Sequence, residues 1–143
     1  MSAPDDAAVF AHYPDVAIDR DNIAHYRGLM AGKLLFNRCD ECGHWIYPHR
    51  PLCPRCWSTN VTATEVSGRG KLHMFTLLTQ SRSVDAPHAE PLQVAAIELT
   101  EQVGMRYLSK VVNCQSAELR HDMPVRLTWI EQTGRRWPVF EPA

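Results

Sequence analysis

Net charge is nearly absent from this sequence: 15 Lys and Arg stand against 16 Asp and Glu, leaving −1 at pH 7. With an isoelectric point near 6.6, the chain projects no field that would gather nucleic acid or an anionic membrane. Long apolar runs are missing as well, and no segment nears the roughly 18 residues needed to span a bilayer. The opening "MSAPDDAAVFAHYPDV" has neither a basic leader nor an apolar stretch, which predicts no secretory signal and a cytoplasmic protein. There is no G-x-G-x-x-G or Walker-type loop and no G-x-S-x-G elbow, which argues against phosphate-cradling and hydrolase chemistry. Internal repeats and low-complexity tracts are lacking too.

What is present is concentrated in one stretch, "RCDECGHWIYPHRPLCPRC", residues 38–56. It holds four of the five cysteines as two C-x-x-C pairs, Cys39/Cys42 and Cys53/Cys56, with ten residues between the pairs. In a reducing compartment this pattern points to a metal rather than to a disulfide framework. Two thiolates on a tight knuckle can reach one ion, and two facing knuckles complete a tetrahedral set. Gly43 suits the turn that closes the first knuckle, whereas Trp57 stands at the matching place after the second, which Pro54 stiffens. Iron also accepts four cysteines, but a ten-residue connection is the zinc-ribbon spacing, so one Zn²⁺ per chain is the expectation. Four thiolates leave no open coordination position, so such an ion is structural and supplies folding energy rather than chemistry. His44 and His49 share the loop and could substitute for a ligand, but with four thiols available they read as surface histidines.

Other constellations are weak. Cys114, the fifth cysteine, has His121 seven residues on, yet after the strand-like "KVVNC" it reads as a small buried hydrophobe. Six basic residues (Arg69, Lys71, Arg82, Lys110, Arg120 and Arg126) are scattered over the second half and read as a solvated surface. The loop between the cysteine pairs differs. Trp45, Tyr47 and Arg50, with Trp57 close by, are residue types that anchor protein interfaces. They read equally as a docking surface or as a cover for the metal and the neighbouring domain.

The coarse organisation is mainly β, in three parts. Residues 1–20 read as a polar tail or arm, with Phe10 and Tyr13 able to dock. Residues 21–60 hold a helix (Ile23, Tyr26 and Met30 at helical spacing, capped by Asp21 or Asn22 and stopped at Gly32) plus the ribbon. Residues 61–143 hold five strand-like runs: Val61–Val66, Lys71–Gln80, Leu92–Thr100, Met105–Val112 and Val125–Glu131. A hairpin link is expected around Glu101–Gly104, a long polar loop at Ser81–Pro91 and a helical turn within Asn113–Pro124. Five strands suit a small barrel, OB-type by size, with an SH3-like barrel as the near competitor.

The order "GKLLFNRCDECG", "YPHRPLCPRC", "VSGRGKL", then "PLQVAAIEL", "NC…ELRHDMPVRL" and "PVFEPA" resembles the OB-fold, zinc-ribbon acyl-CoA-associated proteins. It departs from them at His49, at Trp57 and at His121-Asp122. The resemblance implies an N-terminal helix, a rubredoxin-like zinc ribbon and an OB barrel. It further implies a subunit without catalytic residues that joins thiolase-like enzymes in a hetero-oligomer, or alternatively hot-dog-fold hydratases. The partner would be an acyltransferase or an acyl-CoA lyase of the retro-aldolase kind, with acyl-CoA contact possible. The rival from the fold alone is a single-stranded nucleic-acid binder, which the charge disfavours.

Overall fold

A computed structural model describes residues 2–78 and 91–143. Residues 1–20, a tail in the sequence reading, instead contain a helix, α1 (Asp6–His12). Asp5 caps it by accepting from the Ala8 amide, the local bond that favours aspartate at a helix start. The segment is docked rather than free, because Val9 and Tyr13 are both buried. Arg135 lies over the Tyr13 ring and pairs with Asp15 at 2.6 Å, and Arg27 of the next helix pairs with Asp6. Two aromatics spaced to dock, Phe10 and Tyr13, thus divide: Tyr13 is in the core and Phe10 is half exposed.

Helix α2 (Ile23–Met30) follows. Asn22 precedes it but does not cap it; the Asn22 side chain instead bonds the Asp19 amide and the Ala17 carbonyl. Gly28 sits inside α2 because nothing larger fits. A Cβ there would lie 2.9 Å from both the Leu35 side chain and the Lys33 carbonyl.

The ribbon is a three-stranded sheet of β1 (Leu35–Cys39), β2 (Trp45–Ile46) and β3 (Val61–Glu65), in the order β2-β1-β3. The barrel is a five-stranded sheet of β4 (Arg69–Leu78), β5 (Leu92–Leu99), β6 (Arg106–Ser109), β7 (Pro124–Gln132) and β8 (Arg135–Pro142), in the order β6-β5-β4-β7-β8. Two strand assignments differ from the sequence reading. Val61–Val66, read as the first barrel strand, pairs antiparallel with β1 in the ribbon over five consecutive residues. The fifth barrel strand is β8, a run whose two prolines had hidden it.

The curled sheet closes where Val111, just past β6, meets Phe140 of β8 in parallel. Val112 donates to the Phe140 carbonyl at 2.7 Å, and Phe140 donates to that of Lys110 at 3.0 Å. Gln93 reinforces the seam, accepting from the Val111 amide and donating to its carbonyl. A third strand meeting the fifth in parallel is the OB arrangement and removes the SH3-like alternative. Leu72, Ala95, Ile97, Leu99, Val125 and Phe140 fill the interior. Gly104 takes φ +84° in the β5–β6 link, and a single 3-10 turn at Ser116–Glu118 precedes β7. The polar loop at Ser81–Pro91 lies outside the described residues except for Pro91.

Candidate metal centre and its surroundings

β1 delivers Cys39 at its last residue, and the chain turns at once through Cys42. The second knuckle, Cys53–Cys56, repeats that turn almost bond for bond. Cys39 donates to the His44 carbonyl at 2.8 Å, and Cys53 to that of Ser58 at 2.9 Å. Gly43 donates back to Cys39 at 3.0 Å, and Trp57 back to Cys53 at 2.9 Å. Both closing residues are left-handed, with φ +77° at Gly43 and +65° at Trp57. Glycine takes that conformation freely, whereas for tryptophan it costs about 1–2 kcal/mol.

The four sulfurs lie within 4.8 Å of one another. Cys39 and Cys56 are separated by 3.5 Å, and Cys42 and Cys53 by 3.6 Å. A tetrahedral ion with metal–sulfur bonds near 2.3 Å sets its sulfurs about 3.8 Å apart, so the four residues fit a metal. Backbone amides act on two of the thiols, while Cys56, despite the Ser58 amide, is pushed up to about 12 by the neighbouring thiols and burial. The Cys42 amide lowers the Cys39 thiol against the opposing effect of burial. Burial pushes Cys53 up, but the amides of Cys56 and Arg55 together with the Cys42 and Cys56 thiols outweigh it and hold this thiol at about 7. Cys39 and Cys53 are buried while Cys42 and Cys56 face solvent.

Neither loop histidine joins this group. His49, a surface residue in the sequence reading, is turned away into an aromatic cluster, and both its ring nitrogens are buried without a partner. Phe36 of β1 is the centre of that cluster. It stacks on His49 at 5.8 Å and on His25 of α2 at 5.7 Å, and meets Tyr47 at 5.0 Å and Tyr107 of β6 at 5.4 Å. Helix, ribbon and barrel therefore share one joint. Burial lowers His25, and burial together with repulsion between the two imidazoles when charged lowers His49 to about 4.

A second tie lies on the other side of β2. Gln102, in the β5–β6 link, accepts from the Trp45 amide at 2.8 Å and donates to the Trp45 carbonyl at 3.0 Å. One side chain thus occupies the backbone edge that another strand would otherwise take. Nothing in the sequence singled out Gln102; the signal was only a polar residue in a hairpin link.

The four interface candidates separate. Trp45 is 6% exposed and packs in the main core, with Arg38 over its ring at 4.9 Å. Tyr47 is half-buried in the joint, Arg50 is exposed, and Trp57 is 77% exposed. A cleft of about 360 Å³ between ribbon and barrel is lined by Tyr47, Arg50, Pro54, Val103 and Met105 among others. Cys114 is half-buried against the core and its sulfur faces the Gln115 carbonyl. His121 instead contacts the His73 carbonyl and the Phe75 ring. The two do not form a nucleophile–base pair. Lys71 and Arg126 pair with acids, as a solvated surface would have it.

These two modules have known counterparts. Residues 27–62 match the family model for the ChsH2 rubredoxin-like zinc ribbon domain, and residues 63–129 the ChsH2 C-terminal OB-fold domain. The solved structure named Ltp2-ChsH2(DUF35) aldolase aligns over 89% of this chain and 98% of its own, at 30% identity and a TM-score of 0.77. The chain belongs to the ChsH2 (DUF35) family. A DUF35 domain-containing scaffold protein of Pyrococcus furiosus is 28% identical over 66% of this chain and 67% of its own length. A shorter match, 38% identical over 27% of each chain, is to the benzoylsuccinyl-CoA thiolase subunit BbsA of Thauera aromatica. The ribbon, the OB barrel and a four-cysteine metal-binding arrangement are thus properties of the ChsH2 family that this chain shares. No helix among the described residues is long and apolar enough to cross a membrane.

Proposed function

We propose that this chain is a non-catalytic scaffold subunit of a thiolase-fold enzyme acting on acyl-CoA thioesters, an acyltransferase or a retro-aldolase. The observation that carries the reading is the likeness, over nearly the whole chain, to the ChsH2 component of an aldolase. The chemistry of the residues agrees with it. The four thiolates saturate one ion, for which we propose Zn²⁺, and the fifth thiol faces the Gln115 carbonyl while His121, its candidate base, contacts the His73 carbonyl. When bound, that ion supplies folding energy and no reactive position. The partner would bring nucleophile and general base, and this chain would brace it and help shape the acyl-CoA channel. Arg50 and Trp57 are the exposed anchors of the docking surface; Tyr47 lies beside them, and Trp45 supports it from below.

Tagging the chain in its native host, purifying under mild conditions and identifying the stoichiometric companion tests this directly. A thiolase-fold acyl-CoA enzyme is expected. A hot-dog-fold hydratase, or a chain that purifies alone, would overturn the assignment. The nucleic-acid alternative has little to stand on. OB folds bind oligonucleotides across their second and third strands, here β5 and β6. Exposed Leu92 and Leu108 stand on those strands, and Arg106 is already paired with Glu98.

A further inference from the structure

Strand edges expose unpaired backbone donors and acceptors, and proteins ordinarily cover or blunt them. In this molecule two such edges are at least partly covered and one in the ribbon is not. The two ends of the barrel sheet meet at the Val111–Phe140 seam. The outer edge of β2 is occupied by the Gln102 amide. The outer edge of β3 has no such cover among the described residues.

Which groups point outward follows from the ladder. Antiparallel pairs alternate between residues that exchange backbone hydrogen bonds and residues that do not. Asp40 donates to Asn60 and Val66 donates to Leu34, which fixes the phase along the unbroken pairing from Leu35↔Glu65 to Cys39↔Val61. Thr62 and Thr64 therefore bond to β1. The N–H and C=O groups of Val61, Ala63 and Glu65 face away from the sheet. This edge has no lysine, proline or bulge to repel a neighbour; its single charge, Glu65, is at the far end. Beside it runs a groove in which Val61 and Ala63 share the wall with Asn37, Arg20 and Arg50. The Arg20 side chain is 87% exposed, with only a 3.8 Å contact to Asp21. Trp57 stands four residues before the edge, at the strained end of the second knuckle.

We propose that β3 receives an extended segment of the partner subunit by strand addition, aligned on Val61, Ala63 and Glu65. The segment brings an acidic side chain to Arg20 and Arg50. Main-chain bonds supply affinity in this mode of recognition and the flanking side chains supply register. The proposal rests on the functional reading above, that a protein partner exists, and names the edge through which that partner is held.

Ala63→Pro isolates the feature. It deletes an outward N–H and leaves the bonds to β1 in place, a position where an edge strand tolerates proline. The variant should keep its metal stoichiometry and thermal midpoint while binding the co-purifying thiolase-fold subunit on the order of tenfold more weakly. Hydrogen exchange on the unmodified protein gives an independent reading. The amides of Val61, Ala63 and Glu65 should exchange fast in the isolated chain and become protected in the complex. Those of Thr62 and Thr64 should be protected in both. A complex that forms with these three amides still unprotected, or with Ala63→Pro at full affinity, overturns strand addition while leaving the scaffold role intact. Failure of the wild-type chain to bind any thiolase-fold subunit removes the functional reading and this inference with it. Protection that grows with concentration of the isolated chain would assign the edge to a second copy instead, and would also overturn the proposal.

Discussion

Ribbon and barrel hold together by different means. The barrel has a continuous apolar interior running from Leu72 and Ile97 to Phe140, whereas the ribbon's own buried cluster is Cys39, Ile46 and Cys53 with Val61 against it. Two of those four residues belong to the four-cysteine group that we propose holds the metal. A module of roughly 40 residues cannot bury enough surface to fold alone, and a metal is one of the few remedies. The lesson is that the same chain uses solvent exclusion where its sheet can close and coordination where it cannot.

Removing the metal should break this contrast most severely. Cys53→Ala should abolish stoichiometric metal and unfold the ribbon, because coordination contributes on the order of 10–16 kcal/mol in isolated zinc modules. Elemental analysis and amide exchange would show it, with barrel amides still protected. Loss of barrel protection at the same time would mean that the two parts are not distinct. On the other side, Phe140→Ala should cost about 3–5 kcal/mol. It empties the barrel at its seam, and a lowered melting temperature with metal content unchanged is the expected signature.

The coupling between the parts is open to a subtler cut. Gln102→Ala leaves the buried Trp45 backbone groups unpaired, a loss of about 1–3 kcal/mol. One thermal transition should separate into two, the ribbon's below the barrel's, and a single unshifted transition would show that the aromatic joint alone suffices. Acid probes that joint. Unfolded His49 takes up a proton near its ordinary value of 6.5, but the folded residue does so only at about 4. Stability is therefore intact above pH 6.5 and declines as the pH falls from there toward 4. Melting temperature against pH should show this slope, and His49→Phe should flatten it. The smallest change concerns the knuckles. Trp57→Gly should relieve left-handed strain and stabilise the isolated chain by about 1 kcal/mol, while weakening the complex if Trp57 is an anchor. A gain in chemical-denaturation midpoint alongside a loss of partner affinity would separate folding cost from docking use.

Much of this was legible in the residues. The cysteine spacing foretold that the four thiols converge because knuckle geometry is local: two residues per knuckle and a hairpin between. Helix α2, the strands β4 to β7 and the turn at Gly104 also follow from nearby pattern. The misreadings have non-local causes. Val61–Glu65 looks the same whether it joins a barrel or a ribbon; only its pairing with β1 decides, and that partner lies some 26 residues back in the register Cys39↔Val61 to Leu35↔Glu65. β8 was obscured by Pro138 and Pro142, which the sheet accepts because β8 has a full partner only in β7 and meets β6 at a single bridge. His49 is polar in sequence but flat, and stacking on Phe36 outweighed its nitrogens. For α1 the signal was present in Asp5 and the residues after it, but Pro4 and Pro14 outweighed it.

Both hydrogen bonds of Gln102 to residue 45 go to its backbone. Those two bonds make no demand on the side chain at residue 45, whose own packing in the core is a separate matter, and a strict one on residue 102. Glutamate would lose the donor, and asparagine is one methylene too short. A ribbon grafted from a relative would keep these two bonds whatever its second strand spells, provided that one amide remains to receive it. Its side chains would still have to fit the aromatic joint at Phe36 and the core around Trp45.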